Sequence, residues 1–374
     1  MSLRRFAATS LPFVAALALT GCPPPESETN PTTTTTTTSS TEPADPAALD
    51  APPAGEGFQI DIPEFEVAQG DEVQNCYFFK VSDLAKQGGL DEAGNVNLHH
   101  IEIAQRDGSH HMNIFRVRTV VGLDPTKGTV EGLNGMGECF KSSNWADWPL
   151  VGNSQEAGQI DWEFPDGVAN VFQPDEYLMV QTHYVNATTQ KTPQSAKVRI
   201  NFWHLPQDKV KFEMGTIFAT KQSVRVCQSN PTPEYSGSCN MNSPEPVTII
   251  GANGHFHSRG KKFDIYTWDG ISIDTPPASD RFYESDAWDE PPMMHSPELS
   301  RQVPANGGIF YTCSYEWTMP SVGCKALDDF DSMKYMTPAE NLDCCYTFGP
   351  IVEKNEHCNA FIYYYPKQDD VNCF

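Results

Sequence analysis

At 374 residues the chain is long enough for two domains or one large one. Its 49 Asp+Glu against 25 Lys+Arg give a formal charge of -24, which excludes the basic face that nucleic acid or an anionic lipid surface would require. With 39% hydrophobic residues, and Trp, Tyr and Phe spread along the chain, there is enough apolar material for a packed core.

Residues 1–21 read as an export signal. Arg4 and Arg5 form a basic start, and the apolar run Leu11–Leu19 is too short to span a bilayer. The run ends in Leu19-Thr20-Gly21-Cys22, which resembles the lipobox of bacterial lipoproteins. That resemblance implies acylation of Cys22 and attachment to a membrane through lipid alone. With Pro23 after the cysteine in place of Asp, it implies the outer membrane or surface of a Gram-negative cell, on either face. Residues 22–56 follow as a Pro- and Thr-rich tether containing the run Thr32–Thr38, with too little to bury, and are expected to be disordered. A flexible chain of this length reaches roughly 30 Å on average, enough to hold a globular body off the membrane.

From Phe58 onward, short alternating or apolar runs are separated by Gly, Pro, Asn and Asp. They are Phe58–Ile62, Cys76–Val81, Leu98–Ile103, Met112–Val120, Glu176–Val185, Lys197–Trp203, Val247–Ile250, Lys262–Thr267, Gly308–Tyr315 and Asn359–Tyr365. Many short strands with turn signals between them predict an all-β chain built of sandwiches or barrels. The best helical competitor is the short stretch Val81–Gln87. The seam is expected near Leu205–Lys211, dividing the body into 57–205 and 206–374, and no internal sequence repeat is found. Eleven cysteines less Cys22 leave ten, an even number suited to disulfides in an oxidising compartment. No Cys-x-x-Cys spacing points to a zinc knuckle or a redox motif, and the neighbours Cys344 and Cys345 are expected to take different partners.

Histidine supplies the chemistry-bearing pattern. Ser109-His110-His111-Met112 places two adjacent histidines at the start of a strand, where neighbours face opposite ways; both reach one metal only if the strand bends or different ring nitrogens are used. Gln181-Thr182-His183-Tyr184 sets one histidine in an apolar strand with Gln181 on its face; alone, such a residue is more often packed core than ligand. In Gly254-His255-Phe256-His257-Ser258, an extended strand would turn two imidazoles to one side, close enough to chelate an ion. Glu356-His357-Cys358-Asn359 precedes the last strand. His99 and His100, His204 and His295 read as structural.

In that order, His-His-Met, Gln-x-His-Tyr, His-x-His and Glu-x-Cys-Asn followed by Tyr-Tyr resemble the copper type II, ascorbate-dependent monooxygenases, the family of the peptide-amidating hydroxylase and dopamine β-hydroxylase. Phe58–Ile62, Cys76, Asp286–Pro292 and Phe348-Gly349-Pro350 extend the resemblance over roughly residues 57–374. It implies two consecutive jelly-roll-like β-sandwich domains, each holding one copper, facing each other across an open, water-filled cleft. An electron-transfer copper maps onto His110, His111 and His183; an oxygen-binding copper maps onto His255, His257 and, where the family has methionine, His357. These last three would be the catalytic set. The implied activity is hydroxylation of a C–H bond with dioxygen and an external donor, ascorbate or another. The implied disulfides are Cys76–Cys139, Cys313–Cys358 and Cys227–Cys373, leaving Cys239, Cys324, Cys344 and Cys345 for two further bridges.

Imidazole suits Cu(II) as well as Cu(I), whereas thioether favours Cu(I), so the change at His357 should lower that copper's potential. Met333 and Met336 are the alternatives for a third ligand. Gln181 is the candidate outer partner of His183. Asn253 stands where amidating members carry a carboxylate-binding arginine, and Phe361 where they carry tyrosine, so an uncharged small organic substrate is expected. Two other classes remain open: a copper-binding or electron-transfer protein without oxygenase activity, and an adhesion module in which the histidines are incidental.

Overall fold

The computed structural model describes residues 45–118, 120, 124–131, 148–154, 158–186, 188, 192–324, 327, 343–349 and 351–373. The export signal, Cys22, most of the tether, Met333 and Met336 lie outside them. Ala44–Phe374 is one compact unit, and strands dominate it, as expected. The one α-helix among the described residues is the short Val81–Gln87, whose Val81, Leu84 and Ala85 turn one face to the core. No helix among them is long and apolar enough to cross a membrane.

Two sandwiches follow one another. The first uses β1 (Gly57–Asp61), β2 (Glu72–Lys80), β3 (Val96–Gln105), β4 (Ser109–Arg116), β5 (Leu150–Ser154), β6 in two pieces (Gly158–Glu163 and Val168–Phe172), β7 (Tyr177–Val185) and β8 (Val198–His204). Its sheets run β1-β8-β3-β6 and β2-β7-β4-β5. The second uses β9 (Gly215–Thr220), β10 (Glu234–Asn240), β11 (Val247–His255), β12 (Gly260–Trp268), β13 (Arg281–Ser285), β14 in two pieces (Met294–His295 and Arg301–Val303), β15 (Gly308–Tyr315) and β16 (Asn359–Tyr365). Its sheets run β9-β16-β11-β14 and β10-β15-β12-β13. Each is the eight-strand, two-sheet arrangement of a jelly roll, and adding eight to every strand number converts one into the other.

Each half has its own apolar core, but the first extends across the seam to Ile250, Phe361 and Tyr363. A bulge explains the first of these. Ile249 pairs with Tyr364 and Gly251 with Tyr363, so Ile250 is an extra residue in β11. Because alternation has period two, one inserted residue sets which face every later side chain takes. It turns Asn253 and His255 toward the first half while Ala252 stays in the second core.

Three expectations are corrected. Residues 45–56 are not free tether: Ala47 is fully buried, and the carbonyls of Ala47, Ala48, Leu49 and Asp50 accept from Arg199, Gln159, Gln59 and Asn201. The first half does not end at 205, because Phe212–Glu213 pairs in parallel with Val168–Ala169 of β6. The bridge Cys227–Cys373 is replaced by Cys227–Cys345 and Cys239–Cys373, since strand register sets each of those pairs directly opposite. Cys313–Cys358 forms as expected, and Cys324–Cys344 gives the two adjacent cysteines different partners. Cys76 is disulfide-bonded, and its expected partner Cys139 lies outside the described residues.

Candidate metal centre

The bend that two adjacent histidine ligands require is present. His183 of β7 pairs with His111 of β4, and the next residue, Tyr184, pairs with Ser109; His110 is therefore a bulged residue with no cross-strand partner. The bulge lets His110 and His111 lie on one side, with ring centroids 5.3 Å apart, and 5.1 and 4.6 Å from His183. In the second half, β11 ends at His255, and His257 falls in the turn just beyond it rather than in extended strand. The intervening Phe256 points into the core and stacks on Phe263, so the two rings still share a side, 5.3 Å apart. His357, just before β16, brings its ring within 4.4 Å of His257 and 5.3 Å of His255.

The expected open cleft between the trios is absent. His110 lies 5.5 Å from His255 and 6.0 Å from His257, and His111 lies 5.5 Å from His255, so separations across the seam match those within each trio. All six rings form one cluster. Where ligand atoms come together, the sets also differ from expectation. His110, His111 and His183 place one ring nitrogen each within 4.8 Å of one another, as do His110, His255 and His257. His357 belongs to neither set: its Nδ1 accepts from the Asn359 amide at 2.8 Å, and its ring also bonds the Gly349 backbone.

Carboxylates and backbone carbonyls orient the rings. Nε2 of His183 donates to Glu72 Oε1 at 2.6 Å, which leaves Nδ1 facing Nδ1 of His111 at 3.4 Å. Glu72, not Gln181, is thus the outer partner of His183; Gln181 accepts instead from Asn113 at 3.0 Å. Only strand register reveals Glu72, which pairs with Val185, two residues beyond His183. His257 Nδ1 donates to the Asn355 carbonyl at 2.9 Å, freeing Nε2. Glu356, fully buried, accepts the backbone N–H groups of His257 and Arg259, each at 2.9 Å, and so fixes the turn carrying His257. Burial raises its carboxyl to about 8. The expected substrate-side residues are spent on the seam: Asn253 accepts from Asn153 at 3.1 Å, and Phe361 stacks on Phe218.

Burial first, then mutual repulsion, holds His110, His111, His255 and His257 well below the usual imidazole range, and burial lowers His357 to about 4. Neutral rings present lone pairs, the form that metals bind. A buried polar atom without a partner normally costs 1 kcal/mol or more, about 1–3, yet Nε2 of His110 has none. An all-nitrogen donor set with an orphaned ring nitrogen fits a transition metal such as copper. Other candidate groups do not: Cys227 and Cys345 are a disulfide, and His100, Glu102 and Asp161 are partnered on a half-exposed sheet face. His99, His204 and His295 make ordinary hydrogen bonds to backbone.

No family model and no curated protein matches this sequence. Among solved structures, Broad Bean Stain Virus aligns at 8% identity over 88% of this chain and 93% of that one, with a TM-score of 0.31. PNGF-II aligns at 9% identity over 84% and 66%, with a TM-score of 0.29, and the PBSX exported protein XepA at 6% over 71% and 89%, with 0.20. Overlap this slight bears on neither fold nor chemistry.

Proposed function

We propose that this chain is a copper-dependent monooxygenase that hydroxylates a C–H bond of a small, uncharged organic molecule with dioxygen and an external electron donor. One observation carries the reading: six imidazoles, from four separate stretches of chain, meet at the seam between two jelly rolls. Copper bound there would supply one-electron redox chemistry and dioxygen activation. The chain's own contribution is to orient the rings through Glu72 and Asn355, to set the His257 turn through Glu356, and to exclude bulk water. His111 and His357 keep part of their surface in solvent and mark the side from which substrate enters. The lipobox-like Cys22 adds a lipid anchor at the cell surface, checked by labelling with a radioactive fatty acid.

Purified full-length chain loaded with copper should consume dioxygen with ascorbate, with hydroxylated product equal to dioxygen consumed. Two coppers bound without coupled turnover on a broad panel of neutral substrates would replace this reading with that of a copper carrier. The deep burial of His183, His255 and His257 favours that second reading. Absence of tightly held copper would remove both.

A further inference from the structure

We infer that the copper next to the second half is held by His110, His255 and His257, a ligand set drawn from both halves, with His357 outside it. The inference rests on the reading of the cluster as a copper site. Nitrogens each about 2 Å from one ion stand within about 4 Å of each other, and those of His110, His255 and His257 already lie within 4.8 Å. His110 Nε2 is buried and has no hydrogen-bond partner. His257 Nε2 is left open because Nδ1 serves the Asn355 carbonyl. His357 is the contrast. Its Nδ1 lies 2.8 Å from the Asn359 amide, its ring also bonds the Gly349 backbone, and it enters no set of three ring nitrogens within 4.8 Å.

The bulge at His110 then acquires a purpose. A regular strand would send His110 to the face opposite His111; the inserted residue swings it across the seam toward His255. A metal on this set joins β4 of the first half to β11 of the second, and the second copper keeps His111 and His183, backed by Glu72.

The test uses the full chain and copper itself. In a His111→Ala, His183→Ala background, one copper should remain. Adding His110→Ala should weaken it by roughly a hundredfold or more, since losing even an outer partner of a ligand costs about 10–100-fold. Adding His357→Ala should leave its affinity unchanged, measured by competition with a chelator. The reverse pattern, loss with His357→Ala and retention with His110→Ala, overturns the inference while copper binding itself stands. Amide exchange supplies a second check in the same His111→Ala, His183→Ala background. One equivalent of copper should slow exchange in both Ser109–Arg116 and Val247–His255, and protection confined to the second half would also overturn it. A wild-type chain that binds no copper fails the reading under Proposed function before this question arises.

Discussion

The two halves have the same connectivity and meet through different sheets. The first offers β2-β7-β4-β5, whose β4 and β7 carry His110, His111 and His183; the second offers β9-β16-β11-β14, whose β11 and the approach to β16 carry His255, His257 and His357. Had each half presented its equivalent sheet, the contact would be isologous and both histidine trios would sit on corresponding strands. Here the pairing is heterologous, so the two histidine trios are built differently. In the first half His111 and His183 stand on paired strands, with His110 on the bulge between them. In the second, His257 and His357 stand just off strand ends and depend on Glu356, on Cys313–Cys358, and on the Tyr315 hydroxyl donating to the His357 carbonyl.

The sharpest way to break this contrast is Glu356→Ala. It strands two buried N–H groups, those of His257 and Arg259, at about 1–3 kcal/mol each. Urea unfolding should lose about 2–6 kcal/mol in total, and copper content should fall with it. A loss under about 1 kcal/mol, within the range of ordinary surface changes, would mean the turn holds itself. The matching change in the first half, Glu72→Gln, should weaken copper binding by roughly 10–100-fold and leave unfolding nearly unchanged, because Glu72 sits at a partly exposed strand end while the ladder holds His183.

The seam gives the next effect. Asn153 of β5 donates to Asn253 of β11 and accepts from the Tyr363 hydroxyl of β16. Asn153→Leu leaves those groups buried without partners, at about 1–3 kcal/mol. Since the lost contacts join the halves, calorimetry should show one transition broadening toward two. A single sharp transition, merely shifted, would place the coupling in the apolar contacts of Ile250, Phe361 and Tyr363 instead.

What could be read beforehand follows from what pattern encodes. Gly308–Tyr315 and Asn359–Tyr365 emerged with their exact bounds because their apolar runs are long and cleanly bounded. The six histidines could be picked out, but their arrangement could not. It depends on two inserted residues, His110 and Ile250, and a bulge has no signature in a single sequence. Pairing of Cys227 with Cys345 depends on register, as does the reach of Glu72 to His183. The repeat between halves is visible only as strand order, because equivalent strands bury against different neighbours and share no residue pattern.

The smallest effect concerns residues 45–50, where composition misled for a definite reason. The Pro- and Thr-rich run before them has little to bury, yet residues 45–50 are held through their backbone carbonyls, which every residue possesses. Their charged anchor is Asp45, paired with Arg106 at 2.8 Å, and that guanidinium draws the carboxyl from its ordinary 3.8 down to about 2. A folded-state value below the unfolded one contributes stability above about pH 4, lost as pH falls toward 2. Both groups are about a third exposed or less deeply held than a core pair, so solvent screening keeps the contribution under about 1 kcal/mol. Asp45→Asn should therefore lower stability slightly at neutral pH and converge with wild type near pH 2. All the anchors named, Gln59, Arg106, Gln159, Arg199 and Asn201, belong to the first half, so amide exchange in that half alone should register the change. A response in β9–β16 would show instead that the seam transmits strain from a surface strap to the far core, and the two halves would have to be treated as one cooperative body.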